Sequence, residues 1–156
     1  MKLPEAIKPA KSPILDLPKA SSLSLMAKPT TFAGRKLGLL VANGAGADIF
    51  NYVIYEIDKL KATVEVIAPQ IGNISLSDNS KVKVDHFIGA APSVLFDAVV
   101  LLIPNDTDID LSLKPKIADF VTDAINHFKY IGYSPALLDY LNKIDLESQM
   151  DGGCFC

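Results

Sequence analysis

From residue 36 onward, short apolar runs alternate with stretches whose apolar residues recur at helical spacing. Lys36–Asn43 is a mostly apolar run of the kind that is buried on both faces of a parallel sheet. Ala47–Lys61 follows with a single apolar stripe, which predicts an amphipathic helix. Thr63–Pro69 is rich in β-branched residues and has an alternating pattern, which predicts a second strand. The stripe of the predicted helix consists of Ile49, Val53, Ile57 and Leu60.

The second half of the chain repeats this alternation. Asn73–Asp85 alternates on either side of Ser77–Ser80, which predicts a small hairpin. Asp97–Pro104 is the most apolar strand and should be central in the sheet. Lys129–Tyr133 is predicted as a third core strand and Ala136–Lys143 as a short helix. Between these strands, a second amphipathic helix is indicated by Ile117, Phe120, Val121, Ala124, Ile125 and Phe128.

This order of elements predicts an α/β fold, a doubly wound and mostly parallel sheet with helices on both faces. Residues 1–31 differ from the rest, since they hold half of the ten prolines and no aromatic residue. Their charge is +3, which leaves −6 for the remainder of a chain whose net charge is −3. Proline at this density favours extended chain. We therefore expect an extended Pro-rich arm at 1–31, lying along another subunit or domain, and one α/β domain at 32–156.

Composition narrows the possible partners. At 49% hydrophobic and 21% charged residues the chain has an ordinary globular composition. Its longest apolar run, Ala98–Ile103, is far too short to cross a bilayer, and the N-terminal residues lack the h-region of a secretory signal, so we expect no export. The acidic balance makes nucleic acid an unsuitable partner. We expect a cytoplasmic location without membrane or nucleic-acid binding.

The first strand leads into a glycine-rich turn that resembles a nucleotide-binding loop. Gly44 and Gly46 supply G-x-G, but the third glycine of a dinucleotide loop would fall on Ile49. An isoleucine blocks the close approach of helix and strand that this glycine permits. The pattern favours a tight structural turn over a cofactor site.

An acidic loop follows the central strand. Asp106, Asp108 and Asp110 alternate as at the start of a calcium loop. The glycine and glutamate that an EF-hand needs at its sixth and twelfth positions are replaced by Leu111 and Ile117. We interpret this segment as a solvated loop.

Thiols and imidazoles are scarce. Cys154 and Cys156 form a C-x-C pair, and His86 and His127 are the two histidines of the chain. Zinc requires four ligands at defined spacing, so this is a poor metal set, and the cysteines are expected to be free thiols. No nucleophile with a partner base is evident. The sequence therefore predicts no catalytic, cofactor-binding or metal-binding residue.

Two segments resemble the C-terminal domain of large-subunit haem catalases. Ser21–Gly44 is similar to the linker and first strand of that domain, and His86–Pro104 is similar to its F-x-G-A-P-S-x-x-x-D-A-V segment. The resemblance implies a flavodoxin-like fold related to class I glutamine amidotransferases and intracellular proteases. The matching residues of the second segment are Gly89, Ala91, Pro92, Ser93, Asp97 and Ala98.

The resemblance implies that this chain functions by binding other parts of a catalase. The parent catalase would convert hydrogen peroxide to water and oxygen with haem in a separate β-barrel, so this chain would hold no cofactor and no catalytic residue. Its expected role is that of an accessory domain which stabilises the subunit and the oligomer. The expected partners are the catalase core domain and the other subunits of a homo-oligomer, a tetramer in the parent. Unfolded client proteins, bound as by a chaperone, are a further expected partner class.

The protease-like relatives also allow a test of catalysis. Their nucleophilic cysteine stands on a turn that corresponds to Ile131–Leu138, with Gly132 at the cysteine position. Their acidic residue corresponds to the Ala45–Gly46 region. The resemblance thus implies a bend without a thiol. The family also continues with another helix after Leu138, so the domain is either truncated or diverged at its C-terminal end.

Two other functions stay open. One is a free-standing enzyme of the amidotransferase and protease superfamily, acting on a small carbonyl or amide; Gly132 argues against it. The other is a flavin-binding protein with its cofactor at the carboxyl ends of the strands. The acidic loop 106–110 would repel the flavin phosphate there. We favour a chain without its own catalysis whose parent protein is an enzyme.

Overall fold

The computed structural model describes residues 31–104 and 111–156, together with positions 7, 8, 10–12, 14 and 16. The chain divides into two units, Met1–Thr30 and Thr31–Cys156, and the second is described below. Most of the predicted Pro-rich arm lies outside the described residues, as does the acidic loop with Asp106, Asp108 and Asp110. The interpretations of both segments stay predictions.

The second unit is built on a six-stranded sheet in which every strand pairing is parallel. The strands lie in the order β5-β2-β1-β6-β7-β8, while β3 and β4 form a separate antiparallel hairpin. Among the described residues, no helix has the length and apolar character needed to cross a membrane. The strands are β1 (Lys36–Val41), β2 (Thr63–Ala68), β3 (Asn73–Ser75), β4 (Lys81–Lys83), β5 (His86–Phe87), β6 (Ala98–Leu102), β7 (Tyr130–Tyr133) and β8 (Cys154–Phe155). The helices are α1 (Ala47–Lys59), α2 (Lys114–Asn126) and α3 (Pro135–Lys143).

The predicted doubly wound α/β fold is confirmed. The chain moves outward from β1 to β2 and β5, returns to β6 on the other side of β1, and continues through β7 to β8. The most apolar run, β6, pairs with both β1 and β7, as its composition predicts. The predicted hairpin is also present, with Ile74 opposite Val82.

Alternation along the central strands creates two separate cores. In β1, Leu39 and Val41 contribute to the core that α1 and the hairpin cover, and Leu40 contributes to the core that α2 and α3 cover. In β6, Leu102 contributes to the core under α1 and the hairpin, and Val99 contributes to the core under α2 and α3. Successive side chains of a strand point to opposite faces, so a run that is apolar at every position requires helices on both faces.

The predicted apolar stripe of α1 is wrong at its first and last residues. Ala47 and Phe50 are buried, whereas Ile49 is 52% exposed and Leu60 lies beyond the end of the helix and is also exposed. Phe50 is the largest side chain that this helix buries, and the stripe is centred on it. Ile49 therefore lies at the flank of the stripe and borders the carboxyl edge of the sheet.

The predicted second helix extends too far. It includes Phe128 in the sequence-based stripe, but α2 ends at Asn126 and Phe128 is 90% exposed with φ of 52°. The backbone turns at this point so that Lys129 N–H donates to the carbonyl of Ala124 and the chain enters β7. The stripe that is buried consists of Ile117, Phe120, Val121 and Ala124.

Charged and aromatic groups fix the amino end of the sheet. Asp97 accepts hydrogen bonds from the Arg35 guanidinium at 2.8 Å and from the Lys36 backbone N–H at 2.9 Å. The Phe96 ring packs directly on Gly38, where a Cβ would lie 2.7 Å from the ring. A side chain at position 38 would displace this ring, so the backbone of β1 requires glycine here.

Candidate functional site

The place where this type of fold binds ligands is the crevice between the carboxyl ends of β1 and β6. The connections from these two strands leave in opposite directions, which opens a cleft at the edge of a doubly wound sheet. The crevice has a volume of about 430 Å³. It is lined by Gly44, Gly46, Ile49, Leu102, Ile103, Pro104, Ser134, Pro135 and Ala136.

The glycine-rich turn forms one wall of the crevice. Gly44 has φ of +82°, a left-handed conformation that glycine adopts without strain. Its N–H donates to the Ser75 carbonyl at 2.9 Å, and the Ala47 N–H at the start of α1 donates to Ser77 Oγ at 3.0 Å. A phosphate binds at such a helix start through free backbone N–H groups. These two donors are already bonded within the protein.

The hairpin holds this turn from outside. The side chain of Asn43 accepts a hydrogen bond from Ser75 N–H at 3.0 Å, and Ser77 N–H donates to the carbonyl of Ala45 at 2.9 Å. The segment between β2 and β5 thus packs against the first loop of the domain. The turn is fixed by four described hydrogen bonds to the hairpin, which fits the predicted structural role of its glycines.

The opposite wall is the bend between β7 and α3, and here the sequence-based placement needs a correction. Gly132 was expected at the bend, but it lies inside β7, opposite Val100 of β6. The bend follows at Ser134, which precedes the first residue of α3, Pro135. The Ser134 hydroxyl donates to the Ile103 carbonyl at 2.8 Å, and its N–H donates to the Leu101 carbonyl at 3.0 Å.

Gly132 has a packing role in the structure. A Cβ at this position would lie 3.1 Å from Cγ2 of Val100, which is closer than ordinary van der Waals contact. A larger residue would require the valine or the strand to move. Among the described residues that line the crevice, the one side chain with a polar group is Ser134, and the others are glycine, proline or aliphatic.

Ser93, Asp123 and His127 lie together at another place, beside α2. Asp123 Oδ2 accepts hydrogen bonds from the backbone N–H of Ser93 at 2.8 Å and from its hydroxyl at 2.5 Å. These bonds lower the pKa of Asp123, with a smaller contribution from His127, whose Nε2 is 3.4 Å from Oδ1. The carboxylate stands between serine and histidine, so the histidine cannot act as base for the hydroxyl. Ser93 is also fully buried.

The role of this cluster is to fasten the segment before β6. A short 3-10 turn, Ser93–Leu95, precedes that strand, and Asp123 caps its first residue from α2, thirty positions away. Ser93 is one of the residues that carry the resemblance to the catalase domain. Its partner Asp123 was missed from sequence because a pair this distant leaves no local pattern.

A second charged group lies on the strands near their amino ends. Glu65 contacts Lys36 Nζ at 2.5 Å and His86 Nε2 at 2.7 Å. The hydrogen bond from Lys36 is the largest effect that lowers the pKa of Glu65, and the bond from His86 acts in the same direction. These residues connect β1, β2 and β5. They are not among the residues that line the crevice.

Three exposed aromatic side chains form an apolar ridge along β7 and β8, which we define as Phe128, Tyr130 and Phe155. Tyr130 is 62% exposed and Phe155 is 56% exposed, and their rings stack with centroids 6.4 Å apart. Phe128 and Tyr130 also line a cavity of about 380 Å³ at the end of these strands. Both rings of the stacked pair are on the sheet face that α1 covers elsewhere, since Phe155 pairs with Gly132 and Gly132 with Val100.

The two cysteines lie beside this ridge. Both are free thiols; Cys154 is half-buried against the core under α2 and α3, and Cys156 is exposed. In the part of the chain that the structure describes, no three histidine, cysteine or acidic side chains are close enough to hold a metal ion.

Sequence comparisons relate the chain to catalases, although no family model matches it. It is 37% identical over 139 residues to Catalase C of Rhizobium meliloti, covering 88% of this chain and 20% of that protein. It is 31% identical over 124 residues to Catalase HPII of Mycobacterium avium, covering 77% of this chain and 17% of the relative. A catalase of Alkalihalophilus pseudofirmus is 30% identical over 119 residues, or 76% of this chain and 17% of the other. The chain thus spans about a fifth of these relatives or less.

Solved structures with the same architecture belong to the DJ-1, ThiJ and PfpI group. A DJ-1 superfamily protein of Salmonella typhimurium aligns with a TM-score of 0.61 at 22% identity, covering 72% of this chain and 62% of that one. A ThiJ/PfpI domain protein of Brachyspira murdochii aligns with a TM-score of 0.62 at 9% identity, covering 78% and 85%. At these identities the likeness establishes the fold alone. The resemblance to large-subunit catalases and the flavodoxin-like fold are both confirmed.

Proposed function

We propose that the chain is an accessory domain of a large-subunit catalase, without catalysis of its own, which acts through contact with the rest of that protein. The parent would convert hydrogen peroxide to water and oxygen with a haem held outside these residues. The support is that the similarity extends over 88% of this chain but over 20% of the catalase that it matches. A region of this size, with its own two cores, has the dimensions of one domain.

The observation that carries this proposal is the apolar ridge. Exposed aromatic clusters on a soluble domain mark surfaces that another protein covers. Phe128 adds a second argument because it combines 90% exposure with a left-handed backbone. That conformation costs a non-glycine residue roughly 1–2 kcal/mol. Burial of the ring against a partner would offset this cost.

The occupant of the ridge is, in this proposal, the catalase core domain or another subunit of the homo-oligomer, a tetramer in the parent. Contacts made by the folded domain stabilise the assembly by mass action without touching the haem site. We expect the Pro-rich arm to lie along the same assembly and the whole protein to be cytoplasmic. When the ridge is uncovered, it would also allow binding of unfolded protein, as a chaperone does.

A free-standing enzyme on a small carbonyl or amide is the second candidate, because the fold is that of the DJ-1 group and the crevice at the usual ligand site is open. The group that could attack a substrate there, in the described lining, is the Ser134 hydroxyl. Its hydrogen is donated to the Ile103 carbonyl. No described base lies beside it in the crevice lining, so an activated nucleophile is not assembled.

The size of the native polypeptide tests the proposal. An antibody raised against residues 31–156 is used on cell extract from the source organism, and the recognised band is examined for size and haem. We expect a band several times larger than this chain that carries haem and has catalase activity. A haem-free band of this chain's own size would overturn the proposal.

The ridge is tested in that same full-length protein. The double substitution Tyr130→Ser and Phe155→Ser should leave catalase activity at room temperature unchanged and shorten the half-life on heating several-fold. Tyr52→Ser is the matched control, because Tyr52 is 64% exposed on α1 and lies outside the ridge. Equal half-lives of the ridge variant and the control would contradict a role of the ridge in assembly.

A further inference from the structure

The C-x-C pair lies at β8, the edge strand of the sheet. Cys154 and Phe155 form β8, and Cys156 follows directly. Cys154 packs against the core under α2 and α3, while Phe155 lies on the opposite face in the apolar ridge. The side chain of Cys156 is exposed.

β8 is a short edge strand held by few contacts. Its register pairs Cys154 with Ile131 and Phe155 with Gly132. The N–H of Ile131 donates to the carbonyl of Gly153 at 2.9 Å. The Phe155 ring adds its stacking on Tyr130. A two-residue strand at an edge opens at a low free-energy cost compared with the central strands.

Disulfide geometry conflicts with this pairing. Along an extended strand the Cα atoms of residues i and i+2 are about 6.4–6.8 Å apart, and their Cβ atoms are similarly separated. A disulfide requires Cβ atoms about 3.5–4.5 Å apart. Cys154 and Cys156 can therefore be joined only if Phe155 leaves the extended conformation. The backbone at Phe155 then no longer follows the register with Gly132.

We propose that Cys154 and Cys156 form a peroxide-sensitive oxidation site in which the disulfide and the paired β8 strand exclude each other. The reduced form keeps β8 on the sheet. The oxidised form closes the three-residue loop Cys154–Cys156 and releases the strand. The site is separate from the crevice and requires no residue of it.

The oxidant is a hydroperoxide, hydrogen peroxide in the simplest case. The exposed Cys156 thiolate attacks one peroxide oxygen, the O–O bond breaks, and a sulfenic acid and hydroxide form. The Cys154 thiol then attacks the sulfenic sulfur; the S–S bond forms and water leaves after the proton of the thiol is transferred. Two thiols lose two electrons and two protons, and the peroxide is reduced to two molecules of water.

Oxidation would change the surface next to the ridge. Release of β8 removes the carbonyl partner of the Ile131 N–H and takes the Phe155 ring away from Tyr130. The outer edge of β7 then offers unpaired backbone groups, a template for pairing with another strand. If the ridge docks on the parent protein, as proposed above, this change would loosen the contact when peroxide accumulates.

The first test uses the reduced 156-residue chain and one equivalent of hydrogen peroxide. We expect the peptide that carries both cysteines to lose the mass of two hydrogens within one chain. The Ile131 amide should then exchange with deuterium at least about tenfold faster. Cys156→Ser and Cys154→Ser should each abolish both changes. Oxygen addition to the cysteines without hydrogen loss, a disulfide between two chains, or an intramolecular disulfide that leaves Ile131 protected would each overturn the proposal.

The second test uses the reciprocity of linked equilibria. If disulfide closure requires β8 to leave the sheet, a variant with a weaker β8 should oxidise more readily. Phe155→Ala removes the aromatic stack, which should shift the dithiol–disulfide equilibrium with glutathione toward the disulfide by about 2- to 10-fold. Tyr52→Ala, which alters an exposed ring on α1, should leave this equilibrium unchanged. An equal equilibrium in Phe155→Ala and the wild-type chain would contradict the coupling.

Discussion

The crevice at the carboxyl ends of the strands and the apolar ridge on β7 and β8 differ in almost every physical respect. In the crevice, the backbone donors of Gly44 and Ala47 and the hydroxyl of Ser134 are bonded within the protein. On the ridge, Tyr130 and Phe155 leave more than half of their side-chain surface in water. These three polar groups at the usual ligand site of the fold are thus bonded within the protein, and the exposed aromatic surface lies at the edge of the sheet.

This difference shows that a fold can keep the crevice at which doubly wound sheets bind ligands while the polar groups beside it serve packing. A group acts on a substrate when it is held in place and its reactive atom stays available. Ser134 meets the first requirement, but its hydroxyl hydrogen is donated to the Ile103 carbonyl. The ridge differs because its aromatic side chains are exposed. Contact with another apolar surface would remove them from water, which is favourable.

The largest expected effect comes from adding a side chain at Gly132, which the sequence resemblance had placed at the bend and the structure places inside β7. Gly132→Cys should destabilise the chain by about 1–3 kcal/mol, because the new Cβ lies 3.1 Å from Val100 Cγ2. We expect no thiol-dependent turnover of reactive aldehydes. Urea unfolding and an aldehyde assay measure both effects.

The matched control for this variant is Gly152→Cys, since a Cβ at position 152 has no atom within 4 Å. Its free energy of unfolding should stay close to that of the wild-type chain. If Gly132→Cys were as stable as this control, the packing role of Gly132 inside β7 would be contradicted. Turnover of aldehydes by this variant would show that β7 supports catalysis, and the contrast with the ridge would fail.

The next substitution should raise the stability of the isolated chain and lower the stability of the assembly. Phe128→Gly relieves the left-handed strain at the end of α2, so the isolated chain should become more stable by about 1 kcal/mol. In the full-length catalase the same change removes a ring of the ridge and should shorten the half-life on heating. Thermal unfolding of the chain and heat inactivation of the parent measure the two effects. Stabilisation in both proteins would place Phe128 outside the docking surface.

A smaller effect is expected on the crevice side. Ser77→Ala removes the side chain that accepts the Ala47 N–H at the start of α1, which should cost about 0.5–1 kcal/mol. Because this contact fixes the wall of the crevice and lies outside the ridge, the full-length protein should keep its assembly. Urea unfolding measures the change in stability, and size-exclusion chromatography of the parent measures the oligomer. Loss of the oligomer would mean that the crevice side also takes part in docking.

The smallest effect depends on pH. Hydrogen bonds from Ser93 hold the pKa of Asp123 below its ordinary value of 3.8 in the folded chain. A carboxylate with a lowered folded pKa stabilises the fold above the unfolded pKa, and this contribution is lost as the pH falls through the folded pKa. Asp123→Asn should therefore be less stable than the wild-type chain near neutral pH, by about 0.5 kcal/mol after solvent screening.

The same two proteins should converge when the pH is well below 3.8, because the wild-type carboxyl is then protonated. Urea midpoints measured across this range provide the test. A difference that does not change with pH would mean that the Ser93–Asp123 contact acts through shape alone.

The order of elements could be predicted from the sequence because it depends on local patterns. The runs that become β1 and β6 are apolar at successive positions, and only a sheet covered on both faces buries such runs. The edges of the helices were less predictable. Ile49 has helical spacing with the buried residues of α1 but lies at the flank of the stripe, and Phe128 follows the period of α2 after the helix has ended.

The functional surfaces were harder to predict because they depend on distant pairs. The residues of Ser21–Gly44 and His86–Pro104 predicted the relationship to catalases, but nothing near Ser93 indicates that Asp123 binds it. The stacking of Tyr130 and Phe155 depends on β8, whose two residues give no periodic signal. The ridge is exposed because no helix of the described chain covers this part of the sheet. The sequence of a single strand does not indicate which parts of a sheet are covered.

Protection of the ridge inside the parent protein tests the central claim most directly. Hydroxyl-radical labelling, followed by mass spectrometry of the peptides, compares the full-length protein with the isolated 156-residue chain. We predict that Tyr130 and Phe155 are labelled in the isolated chain and protected in the full-length protein, while Tyr52 is labelled equally in both. Equal labelling of the ridge in the two proteins would contradict the proposal that this domain acts by contact through β7 and β8.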